Sequence, residues 1–305
     1  MKGFIAVFAA VLTAFTAYVA LDTFVIPRSM APAVSEAVVS MEETSAAKVN
    51  ETESTTDETT QVQTETETET EAYDGADIEI ETYYEYDTVI YVADVEFSSI
   101  TELKAAFAED TYGRNITAVT SNIAYDNGAI LAINGDFYGS QERGYVIRNG
   151  ILYRSEAKSD QEDLVIYVDG TFEIINEDDI SAEELLDAGA WHVLSFGPGI
   201  VSGGEIAVTE DEEVGKAKAS NPRTAIGFID ETHIVMVVSD GRTDESEGLS
   251  LYQLAEFMQS LGVSEAYNLD GGGSSTMYYD GEIVNNPTSS GNSIKERAIS
   301  DILYF

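Results

Sequence analysis

The sequence predicts an α+β domain with a mostly antiparallel or mixed sheet, several hairpins and a few packed helices. An apolar transmembrane anchor and a disordered acidic stalk are expected to precede it. Three observations carry this. Short apolar runs recur with Asn-Gly or Asp-Gly pairs between them, a hairpin signature. Only a few stretches have helical period. The strict strand–helix alternation of a doubly wound parallel fold is absent.

The elements follow in chain order. Gly3 to Leu21 carries no charge, between Lys2 and Asp22. At about 1.5 Å per residue this run nearly matches a bilayer core of roughly 30 Å. Residues 1–28 therefore read as a signal anchor that holds the rest of the chain outside the cell membrane. Ala31-Pro32-Ala33 is a stretch where a leader could be cut, which would release the remainder. Residues 29–87 are rich in Thr, Glu, Ser and Ala, with a Thr-Glu alternation from Thr64 to Glu71. Neither face of that alternation is apolar, so no burial offsets the entropy of ordering it, and its like charges extend the chain. Within it, Ile78 to Tyr86 is more apolar at alternate positions and is a candidate first strand.

Residues 88–305 read as the folded domain. Thr88–Val95 is a predicted strand. Ser99–Glu109 is a predicted helix, capped by Ser99 with Glu102 three residues on. Ala129–Asn134 is a short buried strand. Tyr145–Arg148 and Ile151–Tyr153 form a hairpin around Asn149-Gly150. Leu164–Val168 and Thr171–Ile175 form another around Asp169-Gly170. Ser181–Ala188 is a helix with a second capping box. Thr224–Ile229 and His233–Ser239 pair. Ser250–Leu261 is an amphipathic helix stopped by Gly262. Ala266–Leu269 is a strand that ends in a glycine run, and Met277–Tyr279 with Glu282–Val284 closes the series.

Composition removes several function classes. The chain has 305 residues, and 56 acidic against 15 basic residues give a formal net charge of −41. Such a chain is repelled by phosphate backbones, so no nucleic-acid partner is expected. It has no Cys and only two His, His192 and His233, which excludes thiolate chemistry, disulfides and a multi-His zinc site. No cofactor is required by the sequence. Oxygen ligands could hold a divalent cation, but no ligand spacing demands one, and the metal is left unknown.

Four segments differ from ordinary core. In Asn134-Gly135-Asp136 an apolar strand ends directly in polar residues, which suits either ligand contact or a self-satisfied turn. In Asn221-Pro222-Arg223-Thr224 an Arg precedes a strand, which suits either an anion fork or a solvated or structurally paired Arg. Asp240-Gly241-Arg242 follows the strand that begins at His233. Asn268-Leu269-Asp270-Gly271-Gly272-Gly273-Ser274-Ser275 carries three glycines that cost conformational entropy; its amides could form a nest for an anion, and the other reading is a flexible hinge. No Gly-Lys-Ser/Thr follows, so it is not a Walker loop. Trp191, His192 and Phe196 read as wall or core, and Phe137 and Tyr138 as either core or sugar platforms.

Together these segments predict one pocket. Its catalytic candidates are Asp136, Asp240 and Asp270, any of which could serve as acid or base. Its substrate-binding candidates are Asn134, Gly135, Arg223, Arg242, Asn268, Gly271, Gly272, Gly273, Ser274 and Ser275. Carboxylates for an anomeric centre beside guanidiniums for a phosphate are what cleavage of a sugar phosphodiester requires. The partner implied is a sugar-phosphate or surface-glycan substrate.

In order and spacing these segments, with Ser195-Phe196-Gly197-Pro198, resemble the phosphodiester glycosidases related to N-acetylglucosamine-1-phosphodiester alpha-N-acetylglucosaminidase, from about Tyr91 to Phe305. Bacterial members are often labelled exopolysaccharide biosynthesis proteins. The resemblance implies an α+β fold and hydrolysis of a glycosyl-1-phosphodiester bond. Two other readings of the same pocket stay open: a sugar or phosphosugar transferase, and a non-catalytic module for anionic glycans. Arg297-Ala298-Ile299-Ser300-Asp301 departs from the family's Arg-Pro-Val by lacking the Pro.

Overall fold

The computed structural model describes residues 2–33, 75–210, 220–290 and 293–305. Most of the expected stalk, 34–74, lies outside the described residues. Three antiparallel sheets enclose one core. A seven-stranded sheet holds Asp77–Glu85, Thr88–Glu96, Gly199–Ser202, Glu205–Ile206, Thr224–Asp230, His233–Ser239 and Glu265–Asn268. One five-stranded sheet joins Lys104–Phe107, Leu131–Asn134, Met277–Tyr279, Glu282–Ile283 and Asp301–Tyr304. The other joins Val146–Arg148, Ile151–Arg154, Glu162–Tyr167, Phe172–Asn176 and Ala190–Leu194.

Each sheet turns one face to the shared core and rests a helix on the other. Ile226, Phe228, Met236 and Val238 of the large sheet meet Leu131, Ile133, Leu164 and Leu194 of the two smaller ones. On its outer face Ala225, Val235 and Val237 pack against Leu254, Phe257 and Met258 of the helix Leu251–Ser260. Burial on both faces explains why Ile234–Val238 is continuously apolar instead of alternating. Gly227 permits this contact: a Cβ there would lie 2.5 Å from Met258 Cε. The helices Thr120–Asp126 and Ala182–Asp187 back the two five-stranded sheets in the same way.

The hairpins form where the turn chemistry places them, with Asn149 and Gly150 both at positive φ (52° and 71°). The capping boxes of Ser181 and Ser250 are present. The helix expected over Ser99–Glu109 is not. Its capping box closes a single 3-10 turn, Ile100–Glu102, and the chain then extends as Lys104–Phe107. The reason is tertiary. That segment pairs with Asp301–Tyr304, and Asn149 grips both backbone groups of Ala105 at 2.9 and 2.8 Å.

Two boundaries also move. The domain starts with the strand Asp77–Glu85, paired along its length with Thr88–Glu96, and not at Thr88. Residues 29–33, expected as stalk, lie on the domain: Ser29, with Arg28 before it, pairs with Gly113–Arg114, and Ala33 N donates to Leu152 O at 2.9 Å. The N-terminal helix spans Lys2–Phe24, with Val7, Phe8, Val11, Leu12 and Phe15 exposed. Among the described residues no helix is long and apolar enough to cross a membrane, and the side chains of residues 2–6 fall outside that description.

One buried acid marks the core. Asp163 is fully buried, beside Glu177 and Ser195. Burial, and then the charge of Glu177, push it up to about 10. An Asp in an unfolded chain titrates near 3.9, so the folded protein binds the extra proton. This contribution to stability is present below about pH 4 and is lost as pH rises towards 10. Asp163→Asn is expected to be more stable than the parent at pH 9 and to flatten the decline between pH 5 and 9. The limit for one proton is about 1.4 kcal/mol per pH unit. Urea unfolding across that range checks it; an unchanged slope refutes the assignment.

Candidate active site

Four chain segments converge at one edge of the core. The antiparallel register puts the start of Thr224–Asp230 beside the ends of His233–Ser239 and Glu265–Asn268, and the end of Leu131–Asn134 reaches them from the neighbouring sheet. Asn134 joins them. Its Oδ1 accepts from Thr224 Oγ1 (2.9 Å) and Thr276 N (3.2 Å), and its Nδ2 donates to Asp270 O (2.6 Å). It is fully buried. Asn134 thus fixes the glycine loop to both sheets and does not itself line the cleft.

The cleft at this edge encloses about 650 Å³. Arg223, Arg242, Asp270, Gly271, Gly272 and Ser274 of the expected pocket line it, together with Phe137, Phe196 and Arg297. Asp270 is its carboxylate. Asp270 Oδ2 accepts from Ser274 Oγ (2.6 Å) and Arg297 Nη2 (2.9 Å), and Oδ1 accepts from no described residue. The side chain is 14% exposed. Burial raises its pKa, helped by the charge of Asp136, while Arg297 and Ser274 pull against the rise.

The glycines act by close approach. A Cβ on Gly271 would lie 2.9 Å from Pro222 O, one on Gly273 2.8 Å from Ser289 Cα, and one on Gly272 2.9 Å from Arg242 Nη2. Gly272 also needs its positive φ of 63°. The expected nest of amides is only partly available. Gly272 N donates to Pro222 O (2.7 Å), and Ser274 N and Ser275 N donate to Gly271 O and Gly272 O. Positive charge in the cleft therefore comes from side chains. Arg223 is 3% exposed, its Nε held by Leu249 O at 3.0 Å. Arg242 is placed by Thr288 O (3.3 Å) and Asn221 Oδ1 (2.9 Å). Arg297 is half-exposed and reaches Ser274 Oγ through Nε at 2.9 Å. Phe137 and Phe196 meet edge to face, centroids 5.3 Å apart.

The other expected site residues lie beneath or behind the cleft wall. Asp136 is 1% exposed, and its oxygens accept from Tyr138 N (3.0 Å) and Ser195 N (2.9 Å). Asp136 Oδ2 and Asp301 Oδ2 each lie 2.8 Å from Arg148 Nη2, all three residues being buried. Burial works against the Arg148 charge, but the two carboxylates outweigh it and raise its pKa. Burial also pushes Asp301 up to about 8, although Arg148 opposes this. Gly135 sits against that group: a Cβ would be 2.7 Å from Asp301 Oδ1.

Asp240 is 3% exposed and holds the next loop, accepting from Asn286 N at 2.7 Å and Asn286 Nδ2 at 3.0 Å. Asn268 Nδ2 donates to Gly197 O at 2.8 Å, and Ser275 is fully buried. His192 is core: burial lowers it to about 3, and its Nε2 lies 3.0 Å from Leu103 O. His233 pairs with Asp94. Sequence reasoning did not list Arg297 among the site residues. The available signal was its place just before the last strand, as Arg223 stands before Thr224. Among the described residues no three His, Asp or Glu side chains are grouped to hold a metal.

Comparison with known proteins gives this geometry a family context. A family model described as phosphodiester glycosidase matches residues 127–305. The SPbeta prophage-derived uncharacterized protein YomE of Bacillus subtilis is 27% identical over 197 residues, covering 63% of this chain and 30% of that protein. The N-acetylglucosamine-1-phosphodiester alpha-N-acetylglucosaminidase of Mus musculus is 29% identical over 188 residues, covering 56% of this chain and 36% of that protein. The chain thus spans about a third of the length of these relatives. The zebrafish catalytic domain of that glucosaminidase shares the fold, with a TM-score of 0.60 at 23% identity over 77% of this chain and 84% of its own.

The buried triad gives a stability test. Arg148→Met leaves Asp136 and Asp301 facing each other without their cation. Breaking such a group from one side costs about 3–5 kcal/mol. Urea unfolding at neutral pH should show a loss in that range, and a loss under about 1 kcal/mol would contradict the ion-pair reading.

Proposed function

This chain belongs to the phosphodiester glycosidase family, and we propose that its cleft hydrolyses a glycosyl-1-phosphodiester. One observation carries the reading: a single cleft unites the Asp270 carboxylate with the guanidiniums of Arg223, Arg242 and Arg297. The three cations hold the phosphate and stabilise the charge it gains on leaving. Phe137 and Phe196 offer apolar faces to the sugar. Asp270 acts as general base through Oδ1. It takes a proton from a water whose oxygen bonds to the anomeric carbon. The bond from that carbon to the phosphate oxygen breaks, and its electron pair leaves with the phosphomonoester. A raised pKa makes Asp270 a stronger base than an ordinary Asp. The name of the mouse relative makes an N-acetylglucosamine-1-phosphodiester the first substrate to test.

The N-terminal helix is read here as a membrane anchor that places the domain outside the cell membrane. The uncharged run from Gly3 to Leu21 and the exposed apolar side chains of the helix support this, since such a surface is costly in water. Recovery of the full-length protein in the soluble fraction after lysis without detergent would refute it.

Release of free sugar and a phosphomonoester is the assay. Asp270→Asn should lower kcat about 10²–10⁴-fold; retention of full activity would remove the base. Activity should fall as pH drops through the raised Asp270 pKa, because only the ionised form accepts a proton. Arg297 lowers that pKa, so Arg297→Met should move the acid limb to higher pH and raise KM. A limb that stays in place would separate Arg297 from the base.

A further inference from the structure

We propose that the cleft works at the membrane surface, on a glycosyl phosphodiester whose phosphate is carried by a membrane lipid. This rests on both readings above, hydrolysis in the cleft and anchoring by the N-terminal helix. The evidence is how the chain leaves that helix. It does not run into a free tether but lies down on the domain at once. Arg28–Ser29 pair antiparallel with Gly113–Arg114, and Met30 N donates to Tyr112 O at 2.8 Å. Gly113 is fitted to this strap, because a Cβ there would lie 2.0 Å from Arg28 O. Asn115 reaches back to the helix end, its Nδ2 donating to Thr23 O and Ile26 O at 3.2 Å each. It does so from a left-handed φ of 56°, which Asn tolerates.

The same short stretch is a wall of the cleft. Thr117, two residues beyond Asn115, lines it. Asn115 N also donates to Gly139 O at 3.4 Å, and the neighbouring Ser140 lines the cleft as well. Two extended residues span at most about 7 Å. The headgroup layer of one leaflet is roughly 5–8 Å thick. An anchored helix therefore holds the cleft wall at headgroup depth. Val25, Ile26 and Met30, 59%, 41% and 46% exposed, continue the apolar surface from helix to strap, as an interfacial segment would. At that depth the phosphates on offer are those of lipid headgroups. Hydrolysis there releases the sugar to the outside and leaves the lipid with its phosphate as a monoester.

The test uses full-length protein in phosphatidylcholine vesicles. The substrate is the N-acetylglucosamine-1-phosphodiester of a long-chain alcohol, placed in the same vesicles or in separate ones, beside a water-soluble short-chain analogue. Turnover should be at least about tenfold faster in the same vesicles at equal bulk concentration. Met30→Pro, which removes the strap's bond to Tyr112 O without changing a residue of the cleft wall, should bring that ratio towards one while the soluble analogue is cleaved within about twofold of the parent rate. Protein that floats with the vesicles and cleaves the soluble analogue, yet gains nothing from shared vesicles, overturns this inference alone. So does preference for a soluble polymeric phosphodiester. Failure to float overturns the anchor, and failure to cleave any diester overturns the hydrolase; either result removes this inference too.

Discussion

One buried cation joins the segments that bring Phe137, Phe196 and Arg297 to the cleft. Arg148 stands between Asp136, which follows the strand Leu131–Asn134, and Asp301, which opens the last strand. Such a group is expensive to bury and is retained only where its geometry is fully set. Here the geometry does set something. Asp136 also holds Ser195 N, so the loop that carries Phe196 is tied to the loop that carries Phe137. Asp301 fixes the register of the last strand, and with it the approach of Arg297 to Asp270. The triad is buried beneath the cleft, but it helps to decide which groups line it.

Above that layer, contact distance governs more than hydrogen bonding. The glycine run is packed from three sides, by Pro222, Arg242 and Ser289, at distances no side chain could share. Its amides mostly bond within the loop or to Pro222 O. The loop therefore lets Arg242 come close, and the positive charge of the cleft sits on Arg223, Arg242 and Arg297. Asn134 links this loop to the strands with all its amide atoms engaged, so the loop behaves as part of the scaffold.

Sequence reading succeeded where the cause was local. Asn149-Gly150 makes a hairpin because its residues accept positive φ, whatever lies around them. Ser250 and Gln253 cap a helix for the same kind of reason. It failed at Lys104–Phe107, where a good capping signal was outweighed by pairing with a strand almost two hundred residues away. The site was legible as a neighbourhood and illegible as roles. Asp136, Asp240 and Asp270 all follow strand ends beside glycine, and nothing in that pattern says which carboxylate points at solvent and which at a buried arginine or an amide. Arg297 stood in view as the Arg of a family pattern whose Pro is missing here, without any local sign that its side chain would cross to Asp270.

Those roles bear on how much acid–base machinery the cleft needs. A glycosidase acting on an ordinary sugar–sugar bond uses two carboxylates, because an alkoxide leaves poorly unless it is protonated. A phosphomonoester leaves readily as an anion, since its second proton is lost near pH 6. Cations can supply what a second acid would otherwise give. The cleft has that composition: Asp270 faces three guanidiniums, while Asp136 and Asp240, the acids that might have served as partners, are committed to the scaffold. The retreat of two of the three expected aspartates from the surface thus agrees with a phosphate, and not a sugar hydroxyl, as the leaving group.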